Sequence, residues 1–370
     1  MNEARYQPLV VVAAGGTAGH LFPAEALAAA LLRRGVIVDL ATDERATRYG
    51  SAFPARTTRV IPSATVRKSN PLTFVSAPLQ IGLGGLRAFN VLRRLKPAAV
   101  IGFGGYPTVP PLLAARLLGI PTLIHEQNGV LGRANKRLAS LVDAIATSFP
   151  NVLSAYPALA AKATHTGNPV RPAVIEAAKT PFAAPGEGAF RILVFGGSQG
   201  ARVMADVVPP AIELLPPALR AKLKLVQQAR DDDMPRVRDT YARLGIDAEI
   251  ASFFSDLPTR IAASHLVVSR SGASTVAELA AIGRPGVLVP LPHALDNDQL
   301  VNASVLQKAG GAICIEQPSF TPKRLAAEIE GLVAQPDRLS AMADAARRCG
   351  APDAADRLAD LVLKVAKLRN

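Results

Sequence analysis

The chain has 370 residues and a mass of 38.7 kDa, beyond the ~100–200 residues of one ordinary domain and enough for two. A formal net charge of +13 calls for an anionic partner or surface, while 49% hydrophobic and 19% charged residues exclude a disordered basic tail. With aromatics at 5% and no Trp, platforms for stacking single-stranded nucleic acid are missing, so no nucleic-acid partner is expected.

Short apolar runs alternate with helical patterns, which predicts βα units around parallel sheets. In the first half, strands are expected at 9–14, 36–41, 98–103, 122–126 and 144–148. A helix over 24–34 stops at Gly35, a common C-terminal signal. In the second half, strands are expected at 191–195, 223–227, 248–253, 266–269, 286–290 and 312–315. Helical patterns cover 275–282, 298–309, 324–333 and 354–368.

A rough internal repeat organises these elements. LVVVAAGGTAGH (9–20) and RILVFGGSQGA (191–201) both read strand, glycine pair, small hydroxyl residue, glycine, helix. Each opens one doubly wound α/β domain, giving domains over 1–166 and 167–351. Gly167, Pro169 and Pro172 mark the hinge between them. Gly350 and Pro352 set off the last helix, which could pack on either domain.

Charge follows this division. Residues 1–165 carry 18 Lys/Arg against 7 Asp/Glu, and residues 166–370 carry 24 against 22. Eleven basic residues and no acidic one lie between Glu44 and Glu126. The N-terminal segment, with acidic Glu3, does not read as a signal peptide. The charge-free runs 69–86 and 97–115 are interrupted by Pro and Gly, so a membrane-spanning helix is not expected. Two cysteines, Cys314 and Cys349, make no disulfide framework and suit a reducing compartment.

Several turns could carry chemistry. Glycines between a strand and a helix let backbone N–H groups approach a ligand where the helix dipole favours negative charge. The turns 15–19 and 196–200 have this design, and Gly102-Phe103-Gly104-Gly105-Tyr106 is a third. None fits G-x-G-x-x-G, and no Walker sequence occurs. His20 follows the first turn, where the dipole favours neutral imidazole, able to take a proton from a hydroxyl. His125-Glu126-Gln127-Asn128 ends an apolar strand with four polar side chains, which reads as a binding edge. The run from Ser269 through Glu278 offers helix-start N–H groups for a phosphate and, one turn in, a carboxylate for ribose hydroxyls. The polar loop from Pro290 to Gln299 suits sugar hydroxyls or plain solvation. Asp231-Asp232-Asp233 contains D-x-D but sits among arginines, as a solvated helix start does. No zinc spacing and no hydrolase elbow is present, and no metal is expected. A nicotinamide-dependent alternative would use Asp39, about 20 residues beyond Gly19, as its ribose acid.

Taken together, GGTAGHLFPA (15–24), GFGGYPTVPP (102–111), HEQNGVLGRAN (125–135), TGNPVR (166–171), GGSQGA (196–201), SRSGASTVAEL (269–279) and the loop through Gln299 run in one order over nearly the whole chain. In this the chain resembles the peptidoglycan glycosyltransferases that add N-acetylglucosamine to a lipid-linked muramyl-pentapeptide. The resemblance implies a GT-B fold, two Rossmann-like domains facing across a cleft, with the helix 352–370 returning to the first. It implies a C-terminal domain for UDP-N-acetylglucosamine, an N-terminal domain for the lipid acceptor, and no cofactor. By motif, Glu278 would hold the ribose and Ser198 the diphosphate, with Arg171 and the Phe254 backbone near the uracil. Asn128 and Gln299 would contact the sugar, and Ala273, Ser274, Thr275 and Val276 would lie under the phosphates. Thr17, Ala18 and Gly19 would approach the donor from the other domain. His20, with Glu126 as second choice, would be the base, and Gly104, Gly105 and Tyr106 would face the acceptor. The family's first turn is commonly G-G-T-G-G-H; Ala18 replaces a glycine here, at a cost if that position needs φ > 0. Another GT-B protein, such as a non-hydrolysing UDP-N-acetylglucosamine 2-epimerase, is the nearest alternative.

The resemblance also gives the basic excess a place. The acid-free span 45–116 surrounds the uncharged stretch 72–86, and such a patch suits an anionic membrane surface at ~1 kcal/mol per charge. Peripheral binding to the cytoplasmic side of the bacterial inner membrane is therefore expected.

Overall fold

A computed structural model of the chain describes residues 7–44, 53–62, 73–186, 188–292 and 295–368. The chain divides into two compact units, Met1–Arg171 with Asp353–Asn370, and Pro172–Pro352.

The first unit runs β1 (Leu9–Ala13), α1 (Ala18–Arg33), β2 (Ile37–Thr42), β3 (Thr57–Val60), α2 (Thr73–Leu95) and β4 (Ala99–Gly102). It continues through α3 (Val109–Leu117), β5 (Thr122–Glu126), α4 (Arg133–Leu138), β6 (Ala144–Thr147) and β7 (Ala163–His165). Its seven strands are parallel in the order β3-β2-β1-β4-β5-β6-β7. Every residue of β1 is buried, because a central parallel strand is covered by helices on both faces and so reads as a continuous apolar run. The edge strands β3 and β7 have partly exposed, polar-containing sequences, TTRV and ATH, and carry no such signal.

Helix α1 begins at Ala18, a turn earlier than its apolar pattern, and tolerates Pro23 in its second turn. Helix α2 runs unbroken through Gly82, Gly84 and Gly85, which read as interruptions in the sequence. A Cβ at Gly84 would collide with the Pro62 carbonyl, so the glycine admits a close backbone approach. No described helix is long and apolar enough to cross a membrane.

The second unit runs α5 (Pro172–Ala177), β8 (Phe190–Phe195), α6 (Arg202–Leu214), α7 (Pro217–Arg220), β9 (Leu223–Gln228), α8 (Met234–Arg243) and β10 (Asp247–Ala251). Then follow α9 (Leu257–Ala263), β11 (Leu266–Ser269), α10 (Ala273–Ile282), β12 (Gly286–Leu288), α11 (Asp298–Ala309), β13 (Ala312–Cys314), α12 (Pro322–Val333) and α13 (Pro336–Arg348). The six strands are parallel in the order β10-β9-β8-β11-β12-β13. The last helix, α14 (Ala354–Val365), belongs to the first unit. Its Leu358 and Val362 join the core that holds Leu27 and Leu31 of α1. Arg34 of α1 pairs with Asp356 and Asp360 at 3.3 and 2.9 Å.

The segment Thr166–Arg171 stays with the first unit, five residues past the expected boundary. The Thr166 and Gly167 N–H groups both donate to the Thr147 carbonyl, at 3.1 and 3.2 Å, extending the edge of the sheet.

Two buried charges are held in different ways. Asp39 of β2, 0% exposed, accepts both Nε and Nη2 of Arg56 at 2.9 Å, with Arg59 at 3.4 Å. Its engagement by two guanidiniums removes it as the ribose acid of a nicotinamide site. Arg284, 1% exposed, has no carboxylate partner among the described residues. It donates instead to the carbonyls of Ala262, Ile282, Gly283, Thr180 and Pro181 at 2.6–3.3 Å. Burial away from counter-charge pushes its guanidinium down to about 10. Five carbonyls from three segments lose their donor together if this side chain is truncated. Arg284→Ala is therefore expected to lower the unfolding free energy by about 3 kcal/mol in urea titrations, and a loss under ~1 kcal/mol would contradict that role.

Candidate active site

In the first unit, the strand-to-helix turn after β1 brings Thr17 and His20 together. Thr17 Oγ1 lies 3.0 Å from His20 Nδ1, so this N-cap threonine orients the imidazole instead of capping the helix. The ring sits over the turn after β4. An added Cβ at Gly104 would lie 3.3 Å from His20 Nε2, and one at Gly105 would lie 3.5 Å from Cε1. Gly104 and Gly105 have φ of 83° and 77°, which only glycine adopts without strain. Tyr106, half-buried, opens the short helical turn that follows. In the tautomer whose Nδ1–H donates to Thr17 Oγ1, Nε2 is the acceptor nitrogen of the ring, on the side of this turn. The left-handed residue of the first turn is Gly16, with φ 42°, while Ala18 is the first helical residue and Gly19 is exposed. Ala18 thus carries no positive-φ cost.

The polar end of β5 proves to be internal scaffolding. His125, Glu126 and Gln127 are at most 3% exposed. Glu126 Oε1 accepts the Asn128 backbone and side-chain N–H groups at 3.0 and 3.2 Å. Its Oε2 accepts Gly132 N–H at 2.9 Å and Asn135 Nδ2 at 2.8 Å. Burial pushes this carboxyl above its ordinary range, against four N–H groups that favour the carboxylate. His125 Nε2 lies 3.1 Å from the Gly167 carbonyl, and Gln127 Nε2 lies 3.2 Å from its Nδ1. Gln127 also donates to the Phe103 carbonyl at 3.0 Å. A binding edge was expected because an unpartnered polar cluster is costly to bury; backbone groups of neighbouring segments supply the partners. Of the four residues, only half-buried Asn128 reaches the surface. Arg171 stacks its guanidinium 3.7 Å above the Phe22 ring of α1.

In the second unit, the matching turn after β8 is held by Gln228 at the end of β9. Gln228 Oε1 accepts Gly196 N–H at 2.9 Å, while Nε2 donates to the carbonyls of Gly197 and Ser252 at 3.1 Å. A Cβ at Gly196 would overlap the Ala201 backbone, and Ser198 stands exposed at the tip. Phe254 is buried, with the Arg260 guanidinium 4.4 Å above its ring.

The turn after β11 leads into α10. Val276 N–H makes a helical bond to the Gly272 carbonyl, so the N–H groups of Ala273, Ser274 and Thr275 have no intrahelical acceptor. Ser274 Oγ is buried with no partner among the described residues. Glu278, 5% exposed, lies one turn further on. Ser271 Oγ donates to the Gln299 carbonyl at 2.8 Å, and Asn302 Nδ2 donates to the Ser271 carbonyl at 3.2 Å. Gln299 Oε1 accepts Leu291 N–H at 3.0 Å, which fixes which end of its amide is left to a ligand. Asp296 and Asn297, before α11, hold left-handed φ of 59° and 53°. His293 and Ala294 of the same loop lie outside the described residues. Among the described residues no group of three or more His, Cys, Asp or Glu could hold a metal ion. Asp233 of the D-x-D run precedes α8 and is bound by Arg236 at 2.7 Å, with no side-chain cap on the helix.

Sequence reasoning missed Gln228, Asn135 and Asn302, each of which orders a turn from a neighbouring element. A polar pair ending an apolar strand, Gln227-Gln228, was the available signal.

Two parallel Rossmann-like units, each opening on a glycine turn, define a glycosyltransferase of GT-B architecture. A crystal structure of Acinetobacter baumannii MurG matches with a TM-score of 0.77 at 30% identity, over 97% of this chain and 99% of that one. The model of the glycosyltransferase family 28 N-terminal domain matches residues 10–147, and that of the C-terminal domain residues 191–358. The chain belongs to glycosyltransferase family 28. A Rhodopseudomonas palustris protein is 62% identical over 362 residues, 98% of this chain and 99% of its own. It is named UDP-N-acetylglucosamine–N-acetylmuramyl-(pentapeptide) pyrophosphoryl-undecaprenol N-acetylglucosamine transferase. A Bradyrhizobium protein of the same name is 61% identical over 98% of this chain and 99% of its own. A UDP-GlcNAc 2-epimerase from Neisseria meningitidis shares the fold, with a TM-score of 0.68 at 17% identity.

His125 gives the scaffold a pH signature. Burial pushes its imidazole from 6.5 down to about 4, so the unfolded chain takes up a proton first as pH falls. The stability held by neutral His125 is complete above pH 6.5 and is lost towards pH 4, by about 3 kcal/mol. His125→Asn is expected to flatten that part of the stability–pH curve; an unchanged slope would refute the assignment.

Proposed function

We propose that this chain transfers N-acetylglucosamine from UDP-N-acetylglucosamine to the C4 hydroxyl of undecaprenyl-pyrophosphoryl-N-acetylmuramyl-pentapeptide, with inversion. The observation that carries the reading is 62% identity, over 98% of the chain, to a transferase named for those substrates. In the transfer, the hydroxyl oxygen bonds to the anomeric carbon as the bond to the β-phosphate oxygen breaks. The hydroxyl proton passes to His20 Nε2, and UDP leaves with the bonding electrons. Thr17 supports this role by holding Nδ1 and leaving Nε2 as the acceptor.

Glu126, saturated by four N–H donors, serves better as the holder of the Asn128 loop than as a base. Gly104, Gly105 and Tyr106 form the acceptor side of the reading. On the donor side, the open N–H groups of Ala273 to Thr275 and the Ser274 hydroxyl suit the diphosphate, together with Ser198. Val276 backs that turn, Glu278 takes the ribose, Arg171 and Phe254 the uracil, and Asn128 and Gln299 the sugar. Charge on the leaving diphosphate is met by helix N-termini and arginine, so no metal is called for.

Transfer of labelled sugar to the lipid-linked acceptor is the direct assay, and a chelator is expected to leave it unchanged. His20→Ala should lower kcat by about a hundredfold while changing UDP affinity less than about twofold. Glu278→Ala should do the reverse, weakening UDP by about tenfold. Full turnover in the first variant, or unaltered UDP binding in the second, would remove the residue from its role.

The same reading places the enzyme on an anionic inner-leaflet surface. Leu83 and Leu86 of α2 and Leu117 of α3 are 54%, 65% and 79% exposed, with Arg87 and Arg116 beside them in the chain. Exposed leucines flanked by arginines support peripheral docking; residues 45–52 and 63–72 of the basic, apolar span lie outside the described residues. Flotation with phosphatidylglycerol liposomes should be lost on Leu83→Glu with Leu86→Glu and weakened by salt. Undiminished flotation of that variant would exclude this surface.

A further inference from the structure

On the second unit, an open groove lies at the end of the sheet opposite the candidate site. Donor chemistry is read at the carboxyl ends of β8 and β11, whereas the groove lies where α11 ends and β13 begins. Its walls are Ala309 and Gly310 of that turn, Ala312 and Ile313 of β13, and one face of α13, enclosing about 440 Å³. Gly311 packs against Ala346 of α13, so the helix closes one side.

Three features specify the occupant. First, β13 is an edge strand; it pairs with β12 alone among the described strands, so its other side offers unpaired backbone groups. Second, α13 presents Arg338, Ala341, Met342, Ala345 and Arg348 to the groove, a guanidinium at each end and apolar side chains between. Third, among the described residues neither arginine makes an ion pair or side-chain hydrogen bond, and no acidic residue lines the groove. Arg347 beside them is used structurally, donating to the Ala178 carbonyl at 2.7 Å.

From Arg338 to Arg348 the helix rises ~15 Å, the length of four to five extended residues at ~3.3 Å each. We propose that this groove binds an extended acidic segment of a partner protein, added along β13, with carboxylates four or five residues apart and small apolar side chains between. The edge supplies backbone hydrogen bonds, the apolar floor takes alternate side chains, and the arginines set charge and register.

The probe is a fluorescein-labelled peptide, Ser-Glu-Ala-Val-Ala-Glu-Ser, titrated with the full chain and followed by anisotropy. Saturable binding is expected, absent for the same peptide with lysines in place of glutamates. Arg338→Glu with Arg348→Glu should weaken it at least about tenfold, and Ala341→Trp, on the exposed floor, should do the same. Both variants should keep the wild-type thermal stabilisation by UDP, which reports an intact second unit. No saturable binding, or binding untouched by the charge reversal, overturns the proposal. Loss on charge reversal with none on Ala341→Trp also overturns it, since the groove itself is then not occupied.

Discussion

The buried carboxylate of Glu126 is the constraint on which the first half of the site depends. A carboxyl group at 1% exposure is tolerable only if its oxygens are engaged, and four N–H groups of the 128–135 loop converge on it. That convergence fixes the loop backbone and sets Asn128 at the surface. Asn135, which also donates to the His125 carbonyl at 3.1 Å, lies beside the Gly104 turn over which the His20 ring sits. The Glu126 network thus sets the Asn128 loop and lies against the Gly104 turn, while Thr17, by a separate contact, orients the His20 ring.

The second unit solves a similar geometric problem without a carboxylate at its glycine turn. There the neutral amide of Gln228 holds Gly196 and Gly197, and Arg270 is buried against the carbonyls of Val289 and Pro290 at 3.1 and 3.0 Å. Under the proposed function this turn receives a diphosphate, and groups that add no negative charge beside it suit that ligand. The same electrostatic logic leaves the N–H groups at the start of α10 uncapped. Repeated strand–glycine–helix architecture therefore carries opposite chemistry according to what supports the turn.

Much of this architecture was legible in the chain. Eleven of the thirteen described strands fall at expected positions, the central ones as buried apolar runs because parallel strands are covered on both faces, and the half-exposed edge strand β10 without such burial. The two missed, β3 and β7, are edge strands whose half-exposed residues need not be apolar. Helix α2 was obscured by its glycines, of which Gly84 serves its approach to Pro62. Residue types at the site were legible as well, but not their division of labour. His125, Glu126 and Gln127 read as a ligand-facing edge, since nothing in the sequence says that Gly167 and Phe103, distant in the chain, return to meet them, or that the loop folds Gly132 back onto Glu126. Supporting residues such as Gln228 stay silent for the same reason: their partners are set by topology.

Under the proposed function His20 moves the proton while Glu126 only shapes the loop around it. The pH dependence of kcat in single-turnover transfer, compared between the wild type, His20→Ala and Glu126→Gln, tests it most directly. The account predicts an acid limb in the wild type that disappears in His20→Ala and persists, at reduced rate, in Glu126→Gln. A limb that survives in His20→Ala but vanishes in Glu126→Gln would contradict it and make the buried carboxylate the base.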